Sequence, residues 1–254
     1  MSESKVYPVH EKSASRSLLS KAEYEDMYQR SIDSPEEFWA EQAGKFLHWH
    51  SPWQKVYAGD FSAADTRWFQ GGKLNVCFNC VDRHLEKRAR QTAIIWEGDD
   101  PDESKHITYA ELHEQVCRLA NALKARGVKK GDRVCLYMPM IPEAAYAMLA
   151  CARIGAIHSV VFGGFSPESL KDRILDSDCQ TVITADQGIR GGRIVPLKEN
   201  VDAALKSCPG VHSVFVVRRT NAKVPWHDDR DVCYTNAVEH ADVECLPEIM
   251  EAED

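Results

Sequence analysis

Two arginines flank a pair of glycines at Arg190-Gly191-Gly192-Arg193, shortly after a short apolar strand predicted over residues 181–183. Glycine lets the backbone turn tightly and approach a ligand, and each guanidinium offers a planar fork of donors that fits phosphate oxygens. The segment therefore predicts an anion clamp. Its spacing differs from that of the well-known phosphate-binding loops, so an ordinary solvated basic turn stays open as the alternative.

A second glycine pair, Gly163-Gly164, follows another predicted strand, which ends at Phe162. Strands and helices alternate beyond residue 83, and such alternation is typical of parallel strands joined by right-handed crossovers. Ligands gather at the carboxyl ends of such strands, and both glycine pairs fall there. We therefore expect a ligand site at this edge of the sheet. The alternative is that both pairs only make tight turns between a strand and a helix.

The clearest predicted helix begins at Thr108. Glu111 completes a capping box, and the apolar residues from Leu112 to Leu123 fall on one face with a period of about 3.6 residues. Gly127 supplies the stop signal. The sequence therefore predicts an amphipathic helix that begins after Thr108 and ends before Gly127.

Other elements are predicted from caps and apolar runs. Ser34 and Glu37 predict a second capping box, and the aromatic-rich residues 47–79 predict an irregular packing segment. The alternation is expected to stop after residue 217. Strands are predicted at 92–97, 133–138, 158–162, 180–183 and 213–217, and helices at 142–154, 166–176 and 198–206.

Composition excludes several functional classes. The chain has 254 residues, of which 44% are hydrophobic, enough for one sizeable core with a smaller attached domain. Its formal net charge of -8 argues against a protein that binds nucleic acids irrespective of sequence. The sequence has neither an apolar run of membrane-spanning length nor an amino-terminal secretion signal, so we expect no membrane association and a cytoplasmic location.

Metal binding and acid-base catalysis find little support in the sequence. The nine cysteines are scattered and are expected to be reduced thiols. Cys77, Cys80 and His84 resemble half of a zinc site, but no second ligand pair follows at matching spacing, so a packed structural segment is favoured. His113 and His158 are also expected to be structural. We assign neither a metal ligand nor a catalytic residue.

Four longer motifs are more specific than any lone glycine pattern. In order and spacing they resemble the amino-terminal region of AMP-forming acetyl-CoA synthetases, which are adenylate-forming ligases. The resemblance covers the chain from about residue 22 to its end. The motifs are WFQGGKLNVCFNCVDRHL at 68–85, YMPMIPE at 137–143, RIGAIHSVVFGGFS at 153–166 and DQGIRGGR at 186–193.

The resemblance implies an α/β fold. We expect an incomplete large domain of an adenylate-forming ligase, with a layered, mostly parallel sheet flanked by helices and preceded by a helical and irregular amino-terminal segment. The expected divisions are a mobile tail at 1–20, an acetyl-CoA synthetase-type amino-terminal segment at 21–83, and the first part of the AMP-binding domain at 84–254.

The resemblance also implies a ligase that makes acetyl-CoA from acetate, ATP and coenzyme A through an acetyl-adenylate. In that family the matching arginines hold the 3′-phosphate end of coenzyme A, and the residues after the matching strand line the approach of its adenosine and pantetheine portions. The residues expected to contact coenzyme A are therefore Phe162, Gly163, Gly164, Arg190, Gly191, Gly192 and Arg193.

The remaining catalytic parts of such a ligase are expected after residue 254. These are the ATP phosphate loop, the acetate pocket, the catalytic lysine and the ligands of the Mg²⁺ expected in the full-length enzyme. Without a phosphate cradle or a group that stabilises transition-state charge, this polypeptide alone is expected to be inactive.

Other functions stay open. A propionyl-CoA, acetoacetyl-CoA or related short-chain acyl-CoA synthetase would differ in an acyl pocket that these residues do not contain. A non-catalytic module could bind a nucleotide or coenzyme A at the same edge. A dinucleotide oxidoreductase needs a Gly-x-Gly-x-x-Gly turn, and that pattern does not occur in the chain. The oligomeric state is not predicted.

Overall fold

The computed structural model describes residues 7–254, which divide into two compact units. The mobile tail predicted at 1–20 lies partly outside the described residues, and the domain boundary at residue 83 stays a prediction. The first unit takes in the described residues up to Leu47, Trp53–Gly71 and Glu253, and the second takes in His48–Pro52, Gly72–Ala252 and Asp254.

The first unit combines helices with an antiparallel hairpin. The hairpin corrects the expectation of an irregular segment over residues 47–79. Tyr57 and Trp68 lie opposite each other across it with their rings 4.9 Å apart, so these aromatic side chains stabilise a strand pair. The elements are α1 (Glu11–Ala14), α2 (Lys21–Asp33), α3 (Pro35–Phe46), β1 (Lys55–Asp60) and β2 (Asp65–Gln70).

The predicted start of α3 is confirmed, but its capping box is wrong. Ser34 ends α2 as well as preceding α3, and its ψ of 62° lies outside the extended conformation of an ordinary N-cap. Its side chain makes no capping hydrogen bond. A capping box does form one helix earlier, between Ser20 and Glu23.

The second unit contains a central sheet, short hairpins and the helices around them. Its elements are β3 (Lys73–Leu74), α4 (Val76–Cys80), α5 (Leu85–Arg88), β4 (Thr92–Glu97), β5 (Ser104–Thr108), α6 (Tyr109–Ala125), β6 (Arg133–Met138), α7 (Pro142–Arg153), β7 (Ile157–Phe162), α8 (Pro167–Asp176), β8 (Thr181–Ala185), β9 (Gly188–Arg190), β10 (Arg193–Val195), α9 (Leu197–Leu205), β11 (Ser213–Val217), β12 (Asp231–Cys233), α10 (Tyr234–Glu239) and β13 (Met250–Glu251).

The central sheet is parallel throughout, with strand order β12-β11-β8-β6-β7. Every residue of β8 and β11 is buried, as expected for strands covered by helices on both faces. The predicted apolar positions of α6, from Leu112 to Leu123, are also buried. The α/β fold class with a parallel sheet flanked by helices is therefore confirmed.

The alternation continues beyond residue 217, contrary to the prediction. β12 adds a further parallel strand beside β11. The sequence pattern conceals it because the strand has three residues and opens with Asp231, whose buried carboxylate pairs with Lys198 from a distant helix. A pattern of local hydrophobicity cannot predict a strand whose buried charge is neutralised by a residue far away in the sequence.

The capping box at Thr108 is confirmed, with both reciprocal hydrogen bonds to Glu111 present. Thr108→Ala should lower the free energy of unfolding by about 1 kcal/mol, because it removes the acceptor for the Glu111 amide. Ser34→Ala is the matched control and should leave stability nearly unchanged, since Ser34 makes no such bond. Urea denaturation measures both variants, and equal losses in the free energy of unfolding would contradict the assignment of a capping box to Thr108 alone of the two residues.

Candidate functional site

The two-arginine segment forms a β-hairpin. β9 and β10 pair antiparallel, and Gly191 and Gly192 make the turn with φ values of 55° and 72°. Two successive left-handed residues suit a two-residue hairpin, and glycine adopts them without steric cost. The alternative of a turn between a strand and a helix is therefore wrong for this pair, because the strand that follows runs back along β9.

The hairpin places the two arginines directly opposite each other. Arg190 and Arg193 are register partners, and both are exposed. Within residues 7–254, neither guanidinium forms a hydrogen bond or an ion pair with a carboxylate. Like charges directly opposite each other destabilise a strand pair. A bound anion between the two guanidinium groups would offset that repulsion.

Phe162 supports one of these arginines. The guanidinium carbon of Arg190 lies 4.9 Å from the centre of the Phe162 ring, a cation–π contact that orients the side chain. A Cβ on Gly164 would come within 2.6 Å of the same ring. At Gly163, a Cβ would lie 3.1 Å from the carbonyl oxygen of Met138. Both glycines therefore allow close approach at the carboxyl ends of β6 and β7.

These residues meet at a cleft of about 430 Å³ within the second unit. Phe162, Gly163, Gly164 and Arg190 line it, so four of the seven residues predicted to contact coenzyme A share one cavity. Gly191, Gly192 and Arg193 do not line the cleft: the two glycines form the hairpin tip, and Arg193 lies opposite Arg190.

The cleft residues that the sequence analysis missed include Trp96, Asp99 and Arg219. Arg219 follows β11. Because ligands gather at the carboxyl ends of parallel strands, its position in the sequence could have indicated a place at this edge. Trp96 and Asp99 belong to the β4–β5 hairpin, outside the central sheet. No local pattern indicates where that hairpin packs.

Arg219 differs from the hairpin arginines because its charge is already neutralised. Both terminal nitrogens donate to the Glu103 carboxylate, and the guanidinium lies 5.3 Å from the Trp96 ring centre. The hydrogen bonds from Arg219 lower the pKa of Glu103. Arg219 therefore forms part of the cleft wall, while Arg190 and Arg193 keep free donors.

The buried carboxylate of Asp186 holds the loop that carries Arg219. It accepts hydrogen bonds from the backbone amides of Gln187, Arg219, Thr220 and Ala222 at 2.7 to 3.3 Å. Such bonds satisfy an otherwise costly buried charge. Asp186 joins the end of β8 to the loop after β11, which gives it a scaffolding role at this edge.

His113 lies away from the cleft in a cluster with Asp82 and Arg153. Hydrogen bonding to Asp82, with a smaller contribution from Cys117, raises the pKa of His113 to about 9. Burial alone would raise the pKa of Asp82, but hydrogen bonds from His113 and Arg153 outweigh it and bring the pKa to about 2. The Arg153 guanidinium binds Asp82 through two bonds of 2.8 and 2.9 Å. These contacts support a structural role for His113.

This cluster predicts a pH-dependent stability. Because the pKa of His113 is raised on folding, its contribution is complete below the unfolded pKa of about 6.5 and is lost as pH rises through about 9. His113→Gln should therefore flatten the loss of stability over that interval. Urea denaturation across pH 6 to 9.5 measures this. His240→Gln, at the exposed position that follows α10, is the control. An unaltered profile for His113→Gln would exclude the coupling.

The Cys77 and Cys80 pair shows no preorganised metal geometry. Cys77 is buried and its Sγ accepts a hydrogen bond from Arg153, whereas Cys80 is exposed. Burial raises the pKa of Cys77 to about 12, which opposes the thiolate form that metals require. Among the described residues, no group of three or more His, Cys, Asp or Glu side chains is placed to hold a metal ion.

His158 lies exposed on β7, and its structural role stays a prediction. Over residues 7–254, none of the helices has the length and apolar character needed to cross a membrane.

Comparisons with known proteins agree with the fold. The chain is 63% identical over its whole length to the acetyl-coenzyme A synthetase of Alkalilimnicola ehrlichii and 59% identical to acetyl-coenzyme A synthetase 2 of Pseudomonas aeruginosa. It spans 39% of the length of each of these relatives. The solved structure of acetoacetyl-CoA synthetase from Streptomyces lividans superimposes with a TM-score of 0.79 at 26% identity, over 92% of this chain and 35% of that one.

Two family models account for most of the chain. The model described as the acetyl-coenzyme A synthetase N-terminus matches residues 24–80. The model described as AMP-binding enzyme matches residues 81–248, which include the central sheet, the cleft and the two-arginine hairpin. The chain therefore belongs to the family of AMP-binding enzymes.

Proposed function

We propose that this chain is the amino-terminal part of an acetate–CoA ligase, which forms acetyl-CoA from acetate, ATP and coenzyme A through an acetyl-adenylate. The observation that carries the proposal is the pair of exposed arginines set opposite each other beside the cleft, with no carboxylate partner for either among residues 7–254. The identity to curated acetyl-coenzyme A synthetases supports the same reaction.

In this proposal the chain supplies part of the coenzyme A site. Arg190 and Arg193 hold the 3′-phosphate, because each guanidinium can donate two bonds to phosphate oxygens. Gly191 and Gly192 bring the backbone close to the same group. The adenosine and pantetheine portions pass along Phe162, Gly163 and Gly164, where the absence of two Cβ atoms leaves room beside the strand ends.

The groups that perform the chemistry are assigned to the part of the relatives that this chain does not match. They include the residues that would bind ATP, acetate and the Mg²⁺ expected with ATP. We assign the ligase a cytoplasmic location with small molecules as its partners, and neither nucleic acid nor membrane as a partner. The acidic net charge of -8 supports the exclusion of nucleic acid.

Alternatives within and outside the ligase class make different predictions. A propionyl-CoA or acetoacetyl-CoA synthetase would use the same clamp, and the structural likeness to an acetoacetyl-CoA synthetase favours keeping this alternative. A non-catalytic module would bind coenzyme A or a nucleotide at the same residues. The residues of the acyl pocket distinguish the first alternative from an acetate–CoA ligase. Ligase activity of the full-length protein distinguishes the proposal from the second alternative.

Thermal unfolding with a panel of nucleotides tests the proposal. A ligand that binds only the folded state raises Tm, and the stabilisation grows with the logarithm of its concentration over Kd. Coenzyme A should raise Tm more than dephospho-coenzyme A, and NAD⁺ should have little effect. A larger shift with NAD⁺ than with coenzyme A would favour an oxidoreductase and overturn the proposal.

The chain alone should not catalyse adenylation. Acetate-dependent exchange of pyrophosphate into ATP should be undetectable with a pure sample, because no transition-state charge stabiliser is assigned to these residues. A full-length ligase is the positive control. Exchange that persists through successive purification steps would show that the chemical groups lie within this chain.

A further inference from the structure

Asp99 contacts the two-arginine hairpin through a hydrogen bond at its turn. It lies in the loop that joins β4 to β5, is exposed, and lines the cleft. Its Oδ2 accepts a hydrogen bond of 2.9 Å from the backbone amide of Gly192. The contact joins positions that are 93 residues apart in sequence, so it fixes how the loop and the hairpin tip approach each other.

This contact uses one of the donors that an anion at the hairpin would also use. A turn amide flanked by two guanidinium groups offers a phosphate a compact set of donors. In the structure a carboxylate oxygen already accepts from that amide, while Arg190 and Arg193 have no carboxylate partner in the described part of the chain. The Gly192 amide therefore already donates to a carboxylate of the protein itself, whereas no carboxylate of the described residues accepts a hydrogen bond from either arginine.

Asp99 is the acid of this loop that reaches the hairpin. Glu103 is paired with Arg219, and Asp100 accepts a hydrogen bond from the backbone amide of Asp102 within the loop. The Asp99 carboxylate thus adds negative charge beside the two arginines. Any phosphate bound there experiences repulsion from it, and the repulsion grows with the charge of the ligand.

We infer that Asp99 is a specificity-determining residue of the coenzyme A site: its carboxylate stands in for the ligand phosphate at the Gly192 amide and weakens binding of the 3′-phosphate. The inference rests on the proposed function. The carboxylate keeps the turn in its binding conformation when no ligand is present, and it limits the affinity for coenzyme A so that the product can leave.

Two substitutions separate the charge of Asp99 from its hydrogen bond. Asp99→Asn keeps an oxygen acceptor for the Gly192 amide and removes the charge, while Asp99→Ala removes both. Asp100→Asn is the matched control, since it removes an equal charge from the same exposed loop without a contact to the hairpin. Both positions are exposed, so folding should be retained in all three variants, and circular dichroism checks it.

Calorimetric titration with coenzyme A and dephospho-coenzyme A is the test. Asp99→Asn should bind coenzyme A about three- to tenfold more tightly than wild type, with dephospho-coenzyme A unchanged and the gain reduced at high salt. Asp99→Ala should also gain affinity for coenzyme A, and Asp100→Asn should gain less than either.

Two results would overturn the inference, and they differ in what they say about the proposed function. If wild type prefers coenzyme A over dephospho-coenzyme A but Asp99→Asn and Asp100→Asn give equal affinities, the inference fails and the clamp stands. If neither wild type nor any Asp99 variant binds coenzyme A, the proposed site and the inference fail together.

Discussion

Arg190→Ala should weaken binding of coenzyme A by about 10- to 150-fold, because a charge-assisted hydrogen bond contributes about 1.5 to 3 kcal/mol. Binding of dephospho-coenzyme A should change much less, since it lacks the phosphate that we propose the guanidinium holds. Arg193→Ala should act in the same direction. Arg190→Lys should fall between wild type and alanine, because lysine keeps the charge but loses the planar fork.

Arg173→Ala is the matched control for this prediction. The Arg173 guanidinium lies 5.5 Å from the Phe165 ring, so it makes the same kind of contact as Arg190 makes with Phe162, but it does not line the cleft. Isothermal titration calorimetry with both ligands measures all the variants. Equal losses for Arg173→Ala and Arg190→Ala would mean that a general basic surface, rather than the clamp, attracts the ligand.

Lys198→Met should lower the free energy of unfolding by about 3 to 5 kcal/mol, which is the usual cost of removing one partner from a buried ion pair. The fully buried ammonium binds Asp202 at 2.7 Å and Asp231 at 2.8 Å. Arg230 contacts both carboxylates as well, at 2.6 and 2.9 Å. The single guanidinium of Arg230 would be left to neutralise the buried Asp231 and the partly buried Asp202.

The matched control for Lys198 is Lys21→Met. Lys21 and Glu25 have the same spacing in sequence as Lys198 and Asp202, but the Lys21 side chain is 88% exposed. An exposed pair contributes at most about 1 kcal/mol, so this change should be small. Urea denaturation compares the two, and a loss of under 1 kcal/mol for Lys198→Met would show that the network is not a determinant of stability.

The network also links stability to the site. The amide of Lys198 donates to the carbonyl oxygen of Asp186, whose carboxylate organises the loop that carries Arg219. The preceding residue, Leu197, packs closely beside Gly163 and Gly188, since a Cβ on either glycine would lie within 3.4 Å of its side chain. A shift of α9 would therefore displace residues that line the cleft. We expect Lys198→Met to reduce coenzyme A affinity as well as stability.

Local signals account for the elements that were predicted correctly. The caps at Thr108 and Ser166 lie within three residues of the amides that they bind, so neighbouring residues specify them. The apolar runs that form β6 and β11 predict buried strands without information from the rest of the chain. The β1–β2 hairpin was not predicted, because its turn ends at Ala64. This residue has a φ of 53°, a conformation that glycine usually indicates in a sequence, and alanine gives no such signal.

The candidate site was only partly predictable for a related reason. Arg190, Arg193 and the two glycines form a contiguous segment whose chemistry can be recognised from residue types. Asp99 reaches Gly192 through a contact across 93 positions, and Arg219 is neutralised by a glutamate 116 positions away. Which arginines keep free donors depends on these long-range pairings, and only the folded structure shows them.

The central claim is that the two arginines form a site for the 3′-phosphate of coenzyme A. The most direct measurement is calorimetric titration of the wild-type chain with coenzyme A and with dephospho-coenzyme A, after circular dichroism has confirmed a cooperative fold. The account predicts tighter binding of coenzyme A, with the difference between the ligands shrinking as salt is raised. Equal affinity for the two ligands from a folded sample would contradict it.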